Sequence, residues 1–291
     1  MIANSNLKNK MLSLITFLVL APSLVQAQDS TVNATTTLPI GSNVTAIEDT
    51  LTKKSPLAIV FGLEMAEKVQ KEENSPKENS LSLSIEPLYK LTNLFTASAK
   101  IVINQDNFGQ HKTTASDGTI TLGIEGYDFS PEFKSVHSIS TIVPVSDKSK
   151  KVDRLQSSLS FANGIVYSGP YFSLTYKIGL VRFFHEYTQN AEGSPNIQYR
   201  LSNLVDLTVP ITSKFSINTV GAYRNGWTYG GFQRFGFIFS GDLNYEFNPK
   251  LTANLGISTD GSAVKSNGVD SNITVFDENT SSYRIGLAYL Y

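Results

Sequence analysis

From Leu57 to the last residue the chain alternates apolar and polar positions with a period of two, and no stripe of period 3.6 reaches helical length. LAIVFGLEM places Leu57, Ile59, Phe61, Leu63 and Met65 on one face of a strand, and YFSLTYKIGL does the same with Phe172, Leu174, Tyr176, Ile178 and Leu180. Equivalent sets begin at Leu81, Phe95, Ile120, Leu155, Ile197, Phe215, Phe235, Leu251 and Tyr283, while FKSVHSISTIVPV leaves open which face is apolar. About twelve strands result.

The connections between them alternate in length. KLTNL, FSPEF, SGPY, VPITSKF and FNPKL are tight and rich in Pro, Asn and Ser. KEENSPKENS, QDNFGQHKTTASDG, SDKSKKVD, QNAEGSPN, NGWTYGG and the stretch from Thr259 to Ser281 are long and polar. Short turns on one side and long loops on the other predict an all-β fold, a closed antiparallel transmembrane β-barrel with short periplasmic turns and long outer loops. Aromatic residues gather at both strand ends. Tyr89, Phe95, Phe172, Phe215, Tyr245, Phe247, Tyr289 and Tyr291 lie by the short turns, and Phe183, Phe184, Tyr187, Tyr199, Tyr223, Trp227 and Phe235 by the long loops. Two such belts match the girdles at the two membrane interfaces, whereas a soluble sandwich, which also has regularly spaced strands, has no need of them.

The first 27 residues read as an export signal: Lys8 and Lys10, then the apolar run Met11 to Ala21, then Pro22 and the small-x-small site Val25-Gln26-Ala27, with cleavage near Ala27. Residues 28–56 form a periplasmic segment in which Thr45 and Glu48 fit a capping box for a short helix, either a loose tail or a plug for the barrel. The barrel occupies 57–291.

Composition narrows the chemistry. With 24 Lys and Arg against 25 Asp and Glu, the net charge of −1 offers no basic footprint for nucleic acid. The absence of cysteine removes disulfides, thiolate metal sites and thiol nucleophiles. TASDG and STDGS are Asp-Gly turns without the ligand series of a calcium loop, so neither metal nor cofactor is expected.

The last strand, with Arg284, Gly286, Tyr289 and Tyr291, resembles the C-terminal β-signal of Gram-negative outer-membrane proteins, with a final Tyr in place of the usual Phe. The resemblance implies insertion by the barrel assembly machinery into an outer membrane of lipid and lipopolysaccharide. Barrels of similar size include phospholipase-type, nucleoside-channel and acidic-oligosaccharide porins, and the signal does not choose among them.

If the apolar face meets lipid, the other face lines a lumen carrying Lys100, Lys177, Arg200, Arg224, Arg234 and Arg284 beside Glu64, Glu86, Glu125, Asp206, Asp242 and Glu246. Arg200, Arg224 and Arg234 sit on three successive strands near their outer ends, an arc suited to carboxylate or phosphate. Acidic-oligosaccharide channels have arginine-lined lumens, and the arc is similar to theirs. It fits a passive porin-like channel for small polar or anionic solutes. The balanced charges fit equally a closed structural barrel acting through its outer loops, and outer-rim arginines fit contact with lipopolysaccharide. A non-enzymatic protein is expected; the one rival is a lipid hydrolase through His137 and Ser135, whose spacing resembles outer-membrane phospholipases but which lacks an identifiable third partner.

Overall fold

The computed structural model describes residues 56–69, 79–107, 111–265, 267–278 and 280–291. The expected export signal, 1–27, and residues 28–55 of the expected periplasmic segment lie outside the described residues.

Thirteen strands form one antiparallel sheet that closes on itself. In chain order they are β1 (Leu57–Lys68), β2 (Asn79–Lys90), β3 (Phe95–Asp106), β4 (Thr113–Ala115), β5 (Gly118–Ser130), β6 (Phe133–Val143), β7 (Leu155–Ser168), β8 (Ser173–His185), β9 (Ile197–Pro210), β10 (Phe215–Thr228), β11 (Gln233–Asn248), β12 (Leu251–Ser262) and β13 (Ser281–Leu290). β4 and β5 pair with successive stretches of β3, so together they make one interrupted stave of a twelve-stave barrel. The break falls at Ser116-Asp117. Asp117 takes over the pairing there: its carboxylate accepts the backbone N–H of Val145 at 3.0 Å and of Ser146 at 2.9 Å, and the Ser149 hydroxyl.

Closure occurs where β13 pairs with β1, with Leu63 opposite Leu287 and Met65 opposite Ile285. Beyond the last strand residue, Tyr291 still exchanges backbone hydrogen bonds with Ile59, at 2.9 and 3.2 Å. The terminal aromatic residue is therefore stitched into the seam.

Exposure identifies the outer wall. Phe61, Leu63, Met65, Leu83, Leu159, Phe161, Leu180, Leu255, Ile285 and Leu287 are all exposed, and all lie on the face assigned to lipid from the alternation. A continuous apolar belt of this kind does not face water in a monomeric soluble protein. Around the short turns aromatic rings touch in chains: Phe133 to Tyr167 at 4.8 Å, Tyr167 to Phe172 at 5.0 Å, and Phe215 to Tyr245 at 4.7 Å.

Several expectations need correction. NGWTYGG is not a long loop. β10 extends through its first four residues to Thr228 and leaves the turn Tyr229–Phe232 before β11, where Gly231 takes a φ of 81° that a side chain would disfavour. Thr113–Ala115, inside the expected second outer loop, is strand, because it covers the β3 edge that β5 leaves unpaired. SDKSKKVD contains one turn of π-helix, Lys148–Val152. Two β-bulges at the outer rim turn Leu155 and Ile197, assigned to the lipid face, opposite His185 and Thr228 on the inner face. FKSVHSISTIVPV resolves with Phe133, Ser135, His137 and Ile139 outward, since they oppose Tyr167, Ile165, Asn163 and Phe161.

The inside–outside assignment makes a direct prediction. Ile285→Arg, at mid-strand on the lipid face, should lower unfolding stability in lipid vesicles by about 2–4 kcal/mol. Thr121→Arg, on the inner face, should change it by less than about 1 kcal/mol in the same urea titration.

Candidate functional site in the barrel lumen

Strand register sets a band of small residues on the inner wall against a stretch of charged ones. Following paired residues from strand to strand, one row reads Ser98, Thr121, Ser140, Ser160, Val181, Arg200. The next row reads Thr96, Gly123, Ser138, Ala162, Gly179, Ser202, Arg224. Between β3 and β8 these rows are built of small residues that project little into the interior.

From β11 round to β1 the inner wall carries a buried charge network, and Glu86 on β2, Lys100 on β3 and Lys177 on β8 add charge outside that stretch. Arg284 opposes Gly256, which opposes Asp242. A Cβ at Gly256 would collide with the Asp242 carboxylate, so glycine opens the lane in which the two side chains meet. Arg284 Nη2 donates to Asp242 Oδ1 at 2.8 Å and Oδ2 at 2.9 Å, and its Nη1 lies 3.8 Å from Glu64 Oε2. Gly286 acts likewise in the row below, leaving room for the Asn254 side chain. Buried charges require such partners. Lys100 reaches Glu86 at 3.8 Å. Asp206 is held by Asn218, whose amide donates to it at 2.7 Å. The Lys177 stem lies over Gly164, where a Cβ would strike it. Glu246 sits on the inner face beside Asn244, near the short-turn end of β11.

On the same wall, Ser240 Oγ, Asn244 Oδ1, Asn254 Oδ1 and Arg284 Nε are shielded yet have no protein partner among the described residues.

The arginine arc exists. Arg200 and Arg234 both oppose Gly226 and flank it in one row, while Arg224 lies two residues along β10 on the same face. With strands about 4.8 Å apart, the three side chains start within about 10 Å of one another. Among the described residues no carboxylate lies within 4.0 Å of Arg200 or Arg234. Asp260, on the inner face of β12, acts electrostatically on Arg224.

Phe183 is not part of the outer girdle. It faces inward, and the Arg200 guanidinium carbon stacks 4.8 Å from its ring centroid. Below the arc Leu204, Val220, Ala222 and Ile238 form an apolar cluster on the inner face. Neither feature shows in an alternation pattern that assigns every polar-face position to water.

The outward arginine is Arg182, clamped between the rings of Phe184 at 5.1 Å and Tyr199 at 5.6 Å. Ser135 does not approach His137 as a nucleophile would. Its Oγ accepts the Tyr127 N–H at 2.7 Å and fills the bulge of β5, where Gly126 leaves it room. His137 Nδ1 instead lies 2.8 Å from Asn163 Oδ1 on the lipid face.

The terminal signal residues separate by face. Gly286 looks inward, Tyr289 outward, and Tyr291 ends at the seam.

Breaking the buried pair gives a prediction for this wall. Arg284→Ala, which strands Asp242 and Glu64, should destabilise the barrel by about 3–5 kcal/mol, read from urea unfolding. Gly256→Ala should produce part of that loss with both charged residues intact, since its Cβ enters their lane.

No protein-family model matches the chain, and no curated protein matches it in sequence. Solved structures do resemble it in fold. The COG4313 outer membrane channel from Pseudomonas putida F1 superposes with a TM-score of 0.56 at 10% identity, covering 81% of this chain and 95% of that one. The NanC porin superposes with a TM-score of 0.52 at 10% identity, covering 80% and 98%. The fold is that of outer-membrane β-barrels.

Proposed function

We propose that the protein is an outer-membrane channel through which small polar or anionic solutes pass by diffusion. The observation that carries this reading is the asymmetry of the inner wall. Two middle rows of mainly Ser, Thr, Gly and Ala side chains cross β3 to β8, opposite a stretch of wall where Arg284, Asp242 and Glu64 are held together. A barrel of this strand number can be filled by its own side chains, but a band of small residues at mid-height leaves space beside it.

The arc supplies the selectivity. Arg200, Arg224 and Arg234 stand near the outer ends of β9, β10 and β11, where a solute arriving from outside meets them first. In a confined, low-dielectric mouth their field attracts anions and repels cations. Phe183 beneath Arg200 holds one guanidinium in place. Export across the inner membrane and delivery to the outer one are part of the same proposal, and the two fold neighbours described above are an outer membrane channel and a porin.

A second reading has its own support. The buried Arg284–Asp242–Glu64 network and the inner apolar cluster of Leu204, Val220, Ala222 and Ile238 fill part of the interior, as a closed structural barrel would require.

Planar bilayers separate the two. The channel reading requires stepwise conductance, and a protein that inserts without any step is the closed barrel. Ala162→Trp, on the small-residue wall, should cut the conductance to roughly half or less by narrowing the path. Replacing Arg200, Arg224 and Arg234 together with Ser should move the reversal potential in a salt gradient toward cation preference. An unchanged potential removes the arc from the mechanism.

A further inference from the structure

The stretch between β12 and β13 reads as a long polar outer loop, yet part of it lies against the outside of the barrel. Thr259 is on the outer face of β12, in line with Leu255 and Ile257, and opposes Phe239 on one side and Ser281 on the other. Lower on this wall the outer residues are bare, with Leu255 exposed by 60% and Ile285 by 58%. At the outer ends of the same strands Thr259, Ser281 and Phe237 are buried, although all three belong to the outer face.

The loop supplies the cover. The Thr259 hydroxyl donates to the Val275 carbonyl at 2.9 Å, which leaves its oxygen to accept the Ser281 hydroxyl 2.6 Å away. Ser281 Oγ in turn accepts the Asp277 N–H at 2.8 Å. The chain first continues past β12 as a hairpin, in which the Asn272 N–H donates to the Ala263 carbonyl at 2.9 Å, and then returns along the wall. This returning segment exposes Ile273, Val275 and Phe276, by 53%, 61% and 45%. They are as bare as the apolar wall below them.

We infer that residues 273–276 are an external flap that binds the acyl chains of the outer leaflet, at their boundary with the headgroups. Height and continuity identify lipid as the occupant. Thr259 stands eight residues above Leu251, whose partner Tyr289 marks the girdle at the short turns. At about 3.4 Å per residue and a tilt of about 40°, that is about 20 Å, inside an apolar band about 25 Å tall. Val275 is bonded to Thr259, so the flap lies at the outer edge of the band and continues the lipid wall of Leu255, Ile257 and Tyr283. Acyl chains offer no partner to polar groups, and here the two wall hydroxyls are satisfied by each other and by the flap. Where the flap turns back to β13, the Asp277 carboxylate accepts the Thr280 N–H at 3.0 Å. Apolar side chains lying along an interface bind in proportion to the area they bury there.

The inference rests on the outer-membrane placement of the barrel and not on conduction. The chain has no cysteine, so one introduced thiol carries a fluorescent probe without interference. Phe276→Cys, Leu255→Cys on the lipid wall and Glu192→Cys in the β8–β9 outer loop would each be labelled in the full chain with a polarity-sensitive nitrobenzoxadiazole. The proteins are then inserted into phosphatidylcholine vesicles brominated on the acyl chains. The Phe276→Cys probe should be quenched at least about half as strongly as the Leu255→Cys probe, and the Glu192→Cys probe should not be quenched. Val275→Cys repeats the measurement at a position that bonds the wall through its backbone alone, and should give the same result. Quenching at Phe276→Cys and Val275→Cys no greater than at Glu192→Cys overturns the inference. So does a blue-shifted probe that brominated lipid leaves unquenched, which would mean that protein covers the flap. If Leu255→Cys is unquenched as well, the membrane placement of the barrel fails together with the flap.

Discussion

Every backbone N–H and C=O at membrane depth must find a partner within the protein, and the rest of this structure depends on how that demand is met. A sheet satisfies it only if no edge is left, so the strand at one end of the chain must return to the strand at the other. Here β13 closes on β1, and the backbone pairing continues to Tyr291 against Ile59. Where β5 stops short of covering β3, β4 takes the exposed edge, and Asp117 accepts two backbone donors from the neighbouring outer loop.

Closure brings a second problem, because the interior must accept whatever the alternation sends there. Glycine resolves it at particular points. Gly256 and Gly164 lie directly opposite charged residues, and their missing side chains give Arg284 and Lys177 a lane along the wall. Arg284 is thereby held along the wall of β11 to β1, and Lys177 along β7. Ion pairing of Arg284 does not chiefly add stability, since desolvation offsets most of the attraction; it fixes where the side chains lie and so what remains free. The middle rows of β5 to β8 stay low, mainly with Ser, Thr, Gly and Ala. Together these features shape the interior.

Strand number, loop alternation and the lipid face were legible because each is a local periodicity. Positions at Phe61, Leu180 or Ile285 announce themselves by what stands two residues away. The failures occurred where a local irregularity reset the period. The bulge at Trp227 and Thr228 turned Ile197 inward, and the extension of β10 to Thr228 absorbed much of what read as a loop. Phe183 was assigned to the girdle on its residue type, but strand parity places it inside under Arg200. Asn163 as the partner of His137 was invisible, because the two lie 26 positions apart and meet only through register.

The sequence by itself determined the barrel, its approximate stave count, the outward residues and the outer placement of Arg200, Arg224 and Arg234, since a two-residue period is written in neighbouring letters. Only the tertiary structure decided which inner residues share a row. Register is set by the strands pairing all the way round, and no single strand contains it. That is why Arg284 meeting Asp242 across Gly256, the rows of small residues in the lumen, and the His137–Asn163 pair on the lipid wall emerge only once the sheet has closed.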